Sequence, residues 1–274
     1  WRFTPADRLL HALPIFHAHG LFVAAGCALM GGARMVFLPR FDVDTVIGQL
    51  PRCTVMMGVP TYYNRLLKTP NFQRKTCRNM RLFISGSAPL RPETFKAFEQ
   101  CSGFEILERY GMTETLMNTS NPLDGERRPG SVGPPLPSVN VRVTDDNNNA
   151  IPNGSVGNLQ VRGPNVFAGY WRMPDKTAQE FTVDRWFKTG DLATIDADGY
   201  VSIVGRSKDM IITGGLNVYP REVEQVIDQI NGITESAVVG IPHSDFGEGV
   251  VAVVVAQADH ELEEQEIINL VREH

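Results

Sequence analysis

The chain has 274 residues, of which 42% are hydrophobic and 21% charged, and its formal net charge is −5. This length is enough for one large or two ordinary domains with a real core, and the composition is that of a globular protein. The acidic balance argues against a nucleic-acid-binding surface, which needs clustered Lys and Arg. No apolar run of about 18 residues predicts a transmembrane helix. The four cysteines have no metal-ligand spacing and predict structural thiols in a reducing compartment.

The first third of the chain alternates apolar runs with helical patterns. Short runs ending at Gly or Pro predict buried strands at 33–39, 53–60 and 81–89. Helical spacing or helix end signals predict helices at 42–50, 60–67 and 91–103. Strands alternating with helices indicate parallel βαβ units, in which ligands bind beyond the carboxyl ends of the strands. The segments "ISGSAPL" (84–90) and "ERYGMTET" (108–115) fall at that edge.

Each of these polar segments has two readings. In "ISGSAPL", Gly86, Ser87 and Ala88 would let a flat ligand approach the backbone closely, or they would form a plain βα turn. In "ERYGMTET", Thr113 offers a hydroxyl for phosphate oxygens and Glu114 a carboxylate for Mg²⁺, or both belong to an ordinary polar loop. Neither segment by itself decides between a site and a loop.

From about residue 130 the chain is rich in Gly, Pro and Asn between short alternating runs such as "VNVRVT" (139–144). This predicts a small antiparallel β subdomain, with a solvated hairpin tip at 145–154 and a hairpin turn at Asp198-Gly199. In "FKTGDLATID" (187–196), Asp191 follows a Gly. A carboxylate presented from a tight turn suits two ribose hydroxyls, and a turn-stabilising role is equally open.

Beyond Gly205 a third pattern begins. The charged run before Gly214-Gly215 reads as a solvated linker or as a hinge whose Arg206 meets a phosphate or ribose. After it, helical and strand patterns predict a small α+β domain, with elements at 219–230, 235–242, 249–257 and 263–274. The chain begins without Met and stops inside an apolar-periodic helix, which indicates a piece of a longer protein.

Taken in order, "ISGSAPL", "ERYGMTET" and "TGDLATID…GYVSIVGRSKDMIITGGLNVYPREVE" resemble the adenylate-forming superfamily of acyl-CoA synthetases, luciferases and peptide-synthetase adenylation domains. The resemblance runs through essentially the whole chain. Within the superfamily, "ALPIFHAHGLFVA" (12–24), "VPTYYNRLL" (59–67) and the segment 108–137 look most like malonyl-CoA synthetases. The resemblance implies an AMP-forming acid–thiol ligase of fatty acid metabolism. ATP would convert a carboxylate to an acyl-AMP, and the CoA thiol would then displace AMP.

The resemblance also implies an architecture and a setting. The expected fold is α/β, with a parallel-sheet βαβ portion, a small antiparallel β subdomain and a truncated α+β C-terminal domain. The expected parts are the end of a large N-terminal domain (1–130), its β-rich subdomain (131–204), a hinge (205–209) and a partial C-terminal domain (210–274). The expected partners are a small carboxylate, ATP, Mg²⁺ and the co-substrate CoA. The expected location is the cytoplasm, or the mitochondrial matrix in a eukaryote.

Residue roles carried over from the family form four groups. Nucleotide binding would fall to Gly86, Ser87, Ala88, Glu108, Tyr110, Thr113, Asp191 and Arg206, with Tyr110 stacking on adenine. The implied catalytic residues are Thr113, Glu114, which would also hold Mg²⁺, and Lys208, which matches the hinge about which the C-terminal domain swings. Acyl-site residues would be His17, Arg65, Arg109 and Met112. Gly214 and Gly215 would line the entry for the CoA pantetheine arm.

Arg109 stands where many relatives have Gly, next to the acyl pocket. Burying an Arg is expensive unless a carboxylate meets it. We therefore expect a dicarboxylate such as malonate or methylmalonate, whose second carboxylate pairs with the guanidinium. Arg65 is the competing partner for that carboxylate. An Arg109 that turns to solvent, with a simple fatty or aryl acid as substrate, is the alternative.

Two lysine-bearing motifs of the family are missing from the sequence. The phosphate loop would lie upstream, and no Lys occurs after Lys208 to serve as the catalytic lysine of the C-terminal domain. We therefore expect the chain alone to be a poor catalyst. A catalytically incompetent nucleotide-binding piece is the alternative from a different functional class.

Overall fold

The structure is a computed structural model that describes residues 1–257 and 263–272. Residues 258–262 and the last two residues of the predicted helix 263–274 lie outside the described part. The strands are β1 Arg8–His11, β2 Arg34–Phe37, β3 Val55–Gly58, β4 Leu82–Ser85, β5 Ile106–Tyr110, β6 Thr119–Ser120, β7 Asn140–Thr144, β8 Gly157–Arg162, β9 Phe187–Ile195, β10 Val201–Arg206, β11 Ile211–Thr213, β12 Leu216–Val218, β13 Ile233–His243 and β14 Gly247–Ala256.

The α-helices alternate with the early strands and return at the end of the chain. They are α1 Gly26–Met30, α2 Val43–Gln49, α3 Pro60–Leu67, α4 Pro92–Ser102, α5 Pro174–Glu180, α6 Pro220–Ile227 and α7 Glu264–Arg272. A π-helix spans His19–Ala25, and 3₁₀ turns span Leu50–Arg52, Arg74–Cys77 and Ser207–Asp209. In residues 1–257 and 263–272, no helix combines the length and the apolar character needed to cross a membrane.

The first sheet confirms the predicted βαβ portion. Its strand order is β2-β1-β3-β4-β5-β6, and the first five strands are parallel. Neighbouring residues of one strand pack on opposite faces: Leu10 faces the core under α2–α4, and Leu9 faces the core under the π-helix and α1. Burial on both faces explains the continuous apolar runs. The sequence analysis missed β1, and it missed β5, whose last residues include Glu108, Arg109 and Tyr110.

The second sheet confirms the predicted β subdomain, with the antiparallel order β10-β9-β8-β7. The structure corrects the expected tight turn before Asp191, because this residue lies inside the nine-residue strand β9. The pairing of β8 with β9 jumps from Asn158↔Leu192 to Gln160↔Lys188, which marks a bulge. Gly190 has a φ of +73° there, a conformation that glycine adopts without steric cost.

The third sheet has the order β12-β11-β14-β13 and confirms the small α+β unit. Its core comprises Ile211, Ile227, Ile233 and Val238, with residues of α6 and α7 packed against them. The 3₁₀ turn Ser207–Asp209 connects the second and third sheets. This turn lies inside the segment 205–209, so the hinge prediction falls at the junction of two sheets. The movement of that segment stays a prediction.

Candidate functional site

A cavity of about 640 Å³ lies where the three sheets meet, at the carboxyl ends of β4 and β5. Its walls include these residues predicted from the sequence: Ser87, Ala88, Glu108, Arg109, Tyr110, Met112, Asp191, Arg206 and Lys208. The remaining predicted residues lie outside the cavity wall: Gly86, Thr113, Glu114, His17, Arg65, Gly214 and Gly215. Residues of α6 and of the third sheet line the far side of the cavity, a wall that sequence analysis did not anticipate.

The turn after β4 brings its backbone unusually close to a neighbouring side chain. A Cβ on Gly86 would lie 2.5 Å from the Arg109 Cζ atom, so only glycine fits without displacing the guanidinium. Ser87 follows with a φ of +70°, a left-handed conformation that is strained for a residue with a side chain. Ser87 and Ala88 are exposed and line the cavity. Strained residues of this kind cluster at ligand sites.

Glu108 is a nearly buried acid at the cavity wall. Burial raises the pKa of its carboxyl to about 8, although backbone N–H groups of Gly130 and Leu90 and the charge of Arg221 oppose the shift. The Gly130 N–H donates to Glu108 Oε1 over 3.2 Å. A carboxyl with this pKa is mostly protonated at neutral pH, so Glu108 can donate a hydrogen bond as well as accept one.

Tyr110, Asp191 and Arg206 form one hydrogen-bonded group. The Tyr110 hydroxyl donates to Asp191 Oδ2, and Arg206 Nε lies 2.7 Å from Asp191 Oδ1. Asp191 and Arg206 are directly paired across β9 and β10. Burial raises the pKa of Asp191, and Tyr110 and Arg206 oppose that rise. A carboxylate has about four acceptor positions, so a carboxylate fixed by two donors keeps acceptor capacity for a ligand hydroxyl.

Thr113 and Glu114 lie on the loop after β5, beside the cavity. Thr113 is exposed. The Tyr170 hydroxyl donates to Glu114 Oε1 over 3.1 Å, and the Phe167 N–H donates to the Glu114 carbonyl over 2.8 Å. Across the described ranges, no group of three or more His, Cys, Asp or Glu side chains is arranged to hold a metal ion. Glu114 could therefore bind Mg²⁺ only as a single protein carboxylate, with the substrate phosphates supplying other ligands.

Arg109 is buried, with 3% of its surface exposed. Side chains alternate along a strand, so Arg109 points to the opposite face of β5 from Glu108 and Tyr110. Among residues 1–257 and 263–272, neither Nε nor Nη2 of Arg109 has a hydrogen-bond partner. Burial lowers the pKa of Arg109 to about 10, with Tyr63 and Cys27 acting in the opposite direction. The alternative in which Arg109 turns to solvent is therefore wrong.

The structure brings His19 to this side of the site, and sequence analysis named His17 instead. His17 is exposed and packs on Phe16, with ring centroids 4.6 Å apart. His19 is buried, and its Nδ1 lies 3.1 Å from Ser87 Oγ. Burial and the charge of Arg109 lower the pKa of His19 to about 2, which keeps the imidazole neutral. The H-x-H spacing does not distinguish the two histidines, because the buried one is set by the π-helix that begins at His19.

The other predicted residues take positions at the periphery. Arg65 is exposed on α3. Lys208 is exposed in the 3₁₀ turn and lines the cavity. Gly214 and Gly215 form the exposed turn between β11 and β12, where their φ angles of +58° and +81° require glycine.

Comparison with known proteins identifies similar sequences along most of the chain. The family model for AMP-binding enzymes matches residues 1–171, and the model for the AMP-binding enzyme C-terminal domain matches residues 222–274. A malonate–CoA ligase from Arabidopsis thaliana is 38% identical over 94% of this chain and 45% of its own length. A long-chain-fatty-acid–CoA ligase from Yersinia pestis is also 38% identical, over 98% of this chain and 48% of its own. The chain thus spans about half the length of these curated relatives.

Solved structures of one protein, MatB from Rhodopseudomonas palustris, are similar to the whole chain. MatB is 55% identical, and the alignment covers 100% of this chain and 55% of MatB. The TM-score is 0.98 for the ATP-bound MatB structure and 0.84 for the apo structure. The backbone of this chain is therefore more similar to the ATP-bound structure of this relative than to its apo structure.

Proposed function

The chain belongs to the AMP-binding enzyme family, and from this premise we propose that the protein is an ATP-dependent CoA ligase for a small dicarboxylate. It would activate malonate or methylmalonate as an acyl-adenylate and transfer the acyl group to CoA. The choice of substrate rests on Arg109, which is buried. Its Nε and Nη2 atoms have no hydrogen-bond acceptor in the described part of the chain. A buried guanidinium in that state favours an anionic ligand.

We assign the nucleotide to the face of β5 that carries Glu108 and Tyr110. Adenine would lie against the turn formed by Gly86, Ser87 and Ala88, of which the last two are exposed at the cavity, and against the ring of Tyr110. The Glu108 carboxyl would contact the base, and Asp191, fixed by Tyr110 and Arg206, would accept from the ribose hydroxyls. In this arrangement the purine and the ribose are held from two different sheets.

Thr113 and Glu114 would act at the phosphates. The Thr113 hydroxyl would donate to the α-phosphate, and Glu114, oriented by Tyr170, would hold Mg²⁺. Bound Mg²⁺ supplies positive charge that stabilises the pentavalent phosphorus and the departing pyrophosphate. A carboxylate is a poor electrophile, so the adenylate makes the acyl carbon reactive toward the CoA thiol. Lys208 would belong to the hinge, and Gly214-Gly215 would line the path of the pantetheine arm.

The second carboxylate of the substrate would lie on the Arg109 side of β5. Arg109 would pair with this carboxylate through charge-assisted hydrogen bonds. The neutral His19, whose Nε2 has no partner within the described ranges, would donate a further hydrogen bond if Nδ1 accepts from Ser87. Met112 would contact the acyl chain. A monocarboxylate of the same length would leave these groups without partners.

Two alternatives remain in view. The equal identity to a long-chain-fatty-acid–CoA ligase keeps a simple fatty or aryl acid as the runner-up substrate. A catalytically incompetent nucleotide-binding protein is the alternative from another class. The location in the cytoplasm or the mitochondrial matrix stays a prediction.

The test is carboxylate-dependent ATP–pyrophosphate exchange by the gene product that contains this chain. We expect exchange with malonate and methylmalonate and much less with butyrate, octanoate or benzoate. Arg109→Gly should abolish the preference for dicarboxylates, and Arg65→Ala should leave it unchanged because Arg65 is exposed on α3. Unchanged selectivity in Arg109→Gly would remove the substrate assignment. ATP binding without exchange on any acid would favour the non-catalytic alternative.

A further inference from the structure

Two charged residues lie at helix ends that do not favour them. Arg91 is the N-cap of α4, and Asp228 is the C-cap of α6. The helix dipole favours anions at a helix N-terminus and cations at a C-terminus, so each residue has the sign that its own helix disfavours. Neither Arg91 nor Asp228 therefore stabilises the helix whose end it occupies.

The two charges meet across the junction between the first and third sheets. Arg91 Nη2 lies 2.6 Å from Asp228 Oδ2, and the exposed fractions of the side chains are 27% and 5%. Ser236 Oγ donates to the other oxygen, Asp228 Oδ1, over 2.7 Å. The Asp228 carboxylate thus has one partner in its own unit and one in the N-terminal part. A buried carboxylate that loses its cation is strongly destabilised.

The helix that carries Asp228 also forms a wall of the nucleotide cavity. Pro220, Arg221, Glu224 and Gln225 of α6 line the cavity opposite the turn after β4. Arg221 contributes positive charge that lowers the pKa of Glu108. Any displacement of α6 therefore opens the cavity and changes the electrostatic environment of Glu108.

We propose that Arg91 and Asp228 form a latch that holds the C-terminal unit, residues 211–257 and 263–272, over the nucleotide cavity. The latch makes nucleotide affinity depend on an ion pair that lies outside the cavity wall. Its opening releases α6 from the N-terminal part. The identity of the ligand as ATP rests on the proposed function, and the position of the C-terminal unit does not.

Charge reversal separates the latch from a merely structural role. Arg91→Asp and Asp228→Arg each place at a helix end the sign that the dipole favours, so neither should weaken its own helix. Each creates a like-charge contact across the junction, and the double variant restores an opposite-charge pair. Asp184→Asn is the matched control, because Asp184, between α5 and β9, pairs with Arg142 of β7 at 2.9 Å and this pair involves no residue of α4, α6 or the third sheet.

The measurements are small-angle X-ray scattering and ATP titration calorimetry on the full chain. We expect each single reversal to increase the radius of gyration and to weaken ATP binding about ten-fold. The double variant should return both quantities close to the parent values, and Asp184→Asn should change neither. An unchanged radius of gyration in the single variants, or no recovery in the double variant, overturns the latch. Absence of ATP binding by the parent would overturn the proposed function, and the scattering comparison would still decide on the latch.

Discussion

The buried Arg109 guanidinium predicts two opposite effects of a single substitution, Arg109→Met. Methionine keeps a long side chain and removes the charge. Burial takes the pKa of Arg109 from its ordinary 12.5 to about 10, which corresponds to about 3 kcal/mol of destabilisation of the charged form. We therefore expect the free energy of unfolding of the unliganded variant to rise by about 1–3 kcal/mol, as when buried charges are replaced by apolar groups of similar volume.

The same substitution should impair use of the dicarboxylate. Hydrogen bonds between charged groups contribute about 1.5–3 kcal/mol each, and a guanidinium pairs with a carboxylate through two. Loss of this pair, about 3–6 kcal/mol in total, should lower kcat/KM for malonate by about 10²–10⁴-fold. Butyrate has no second carboxylate, so its kcat/KM should stay equal or rise.

Urea unfolding with and without malonate, together with exchange kinetics on malonate and butyrate, measures both effects. Arg65→Met is the matched control, since the exposed Arg65 should change the free energy of unfolding by less than about 0.5 kcal/mol. Malonate should raise the urea midpoint of the parent and leave that of Arg109→Met unchanged. A destabilised variant that still prefers malonate would refute the reasoning, because Arg109 would then be a structural residue.

Three further substitutions test the neighbouring groups. Glu108→Gln keeps an acceptor for the Gly130 N–H and removes the ionisable group. The pKa of Glu108 in the folded protein, about 8, lies above its ordinary value of 4.5. The parent therefore loses folding stability as the pH rises from 4.5 to 8. The advantage of the variant in thermal unfolding should grow over that range to about 5 kcal/mol at most, and a pH-independent difference would contradict the shift. Asp191→Asn should weaken ATP binding more than 2′-deoxy-ATP binding in calorimetry, and equal losses would argue against ribose contact. Gly86→Ala should raise the KM for malonate several-fold with little change in stability, because the new Cβ would displace the guanidinium of Arg109; an unchanged KM would show that Arg109 acts elsewhere.

The sequence predicted the fold where a local pattern and the tertiary environment agree. The predicted strand at 53–60 is apolar from Val55 onward because β3 is buried on both faces. The alternating run at 139–144 became β7. β5 was missed because its last three residues are polar or aromatic and look like a loop. They are in a strand because β4 and β6 pair with them, and neither partner belongs to the local sequence pattern of β5 itself.

The order of the motifs led the sequence analysis to group residues that the structure places around one cavity, although their roles stay a prediction. The same analysis did not reveal features that depend on tertiary packing. The sequence separates Tyr110 from Asp191 by 80 intervening positions, and motif order alone assigned both to the nucleotide. The choice between His17 and His19 depends on which side chain a π-helix buries, and spacing does not reveal that. The wall formed by α6 depends on where the third sheet packs, which no local pattern encodes.

Overall identity does not distinguish the substrates, because a malonate–CoA ligase and a long-chain-fatty-acid–CoA ligase are both 38% identical to this chain. The choice between a dicarboxylate and a fatty acid therefore depends on buried polar groups of the protein that form hydrogen bonds with one substrate and not with the other. An aliphatic tail beside Arg109 and His19 would leave a charged guanidinium and an imidazole N–H desolvated, with no acceptor supplied by the ligand. Sites built around buried polar groups reject analogues that lack the matching group by about 10⁴–10⁵-fold, whereas one methylene more or less changes binding by only about 10–200-fold. We therefore expect the second carboxylate, more than chain length, to set the selectivity of this protein.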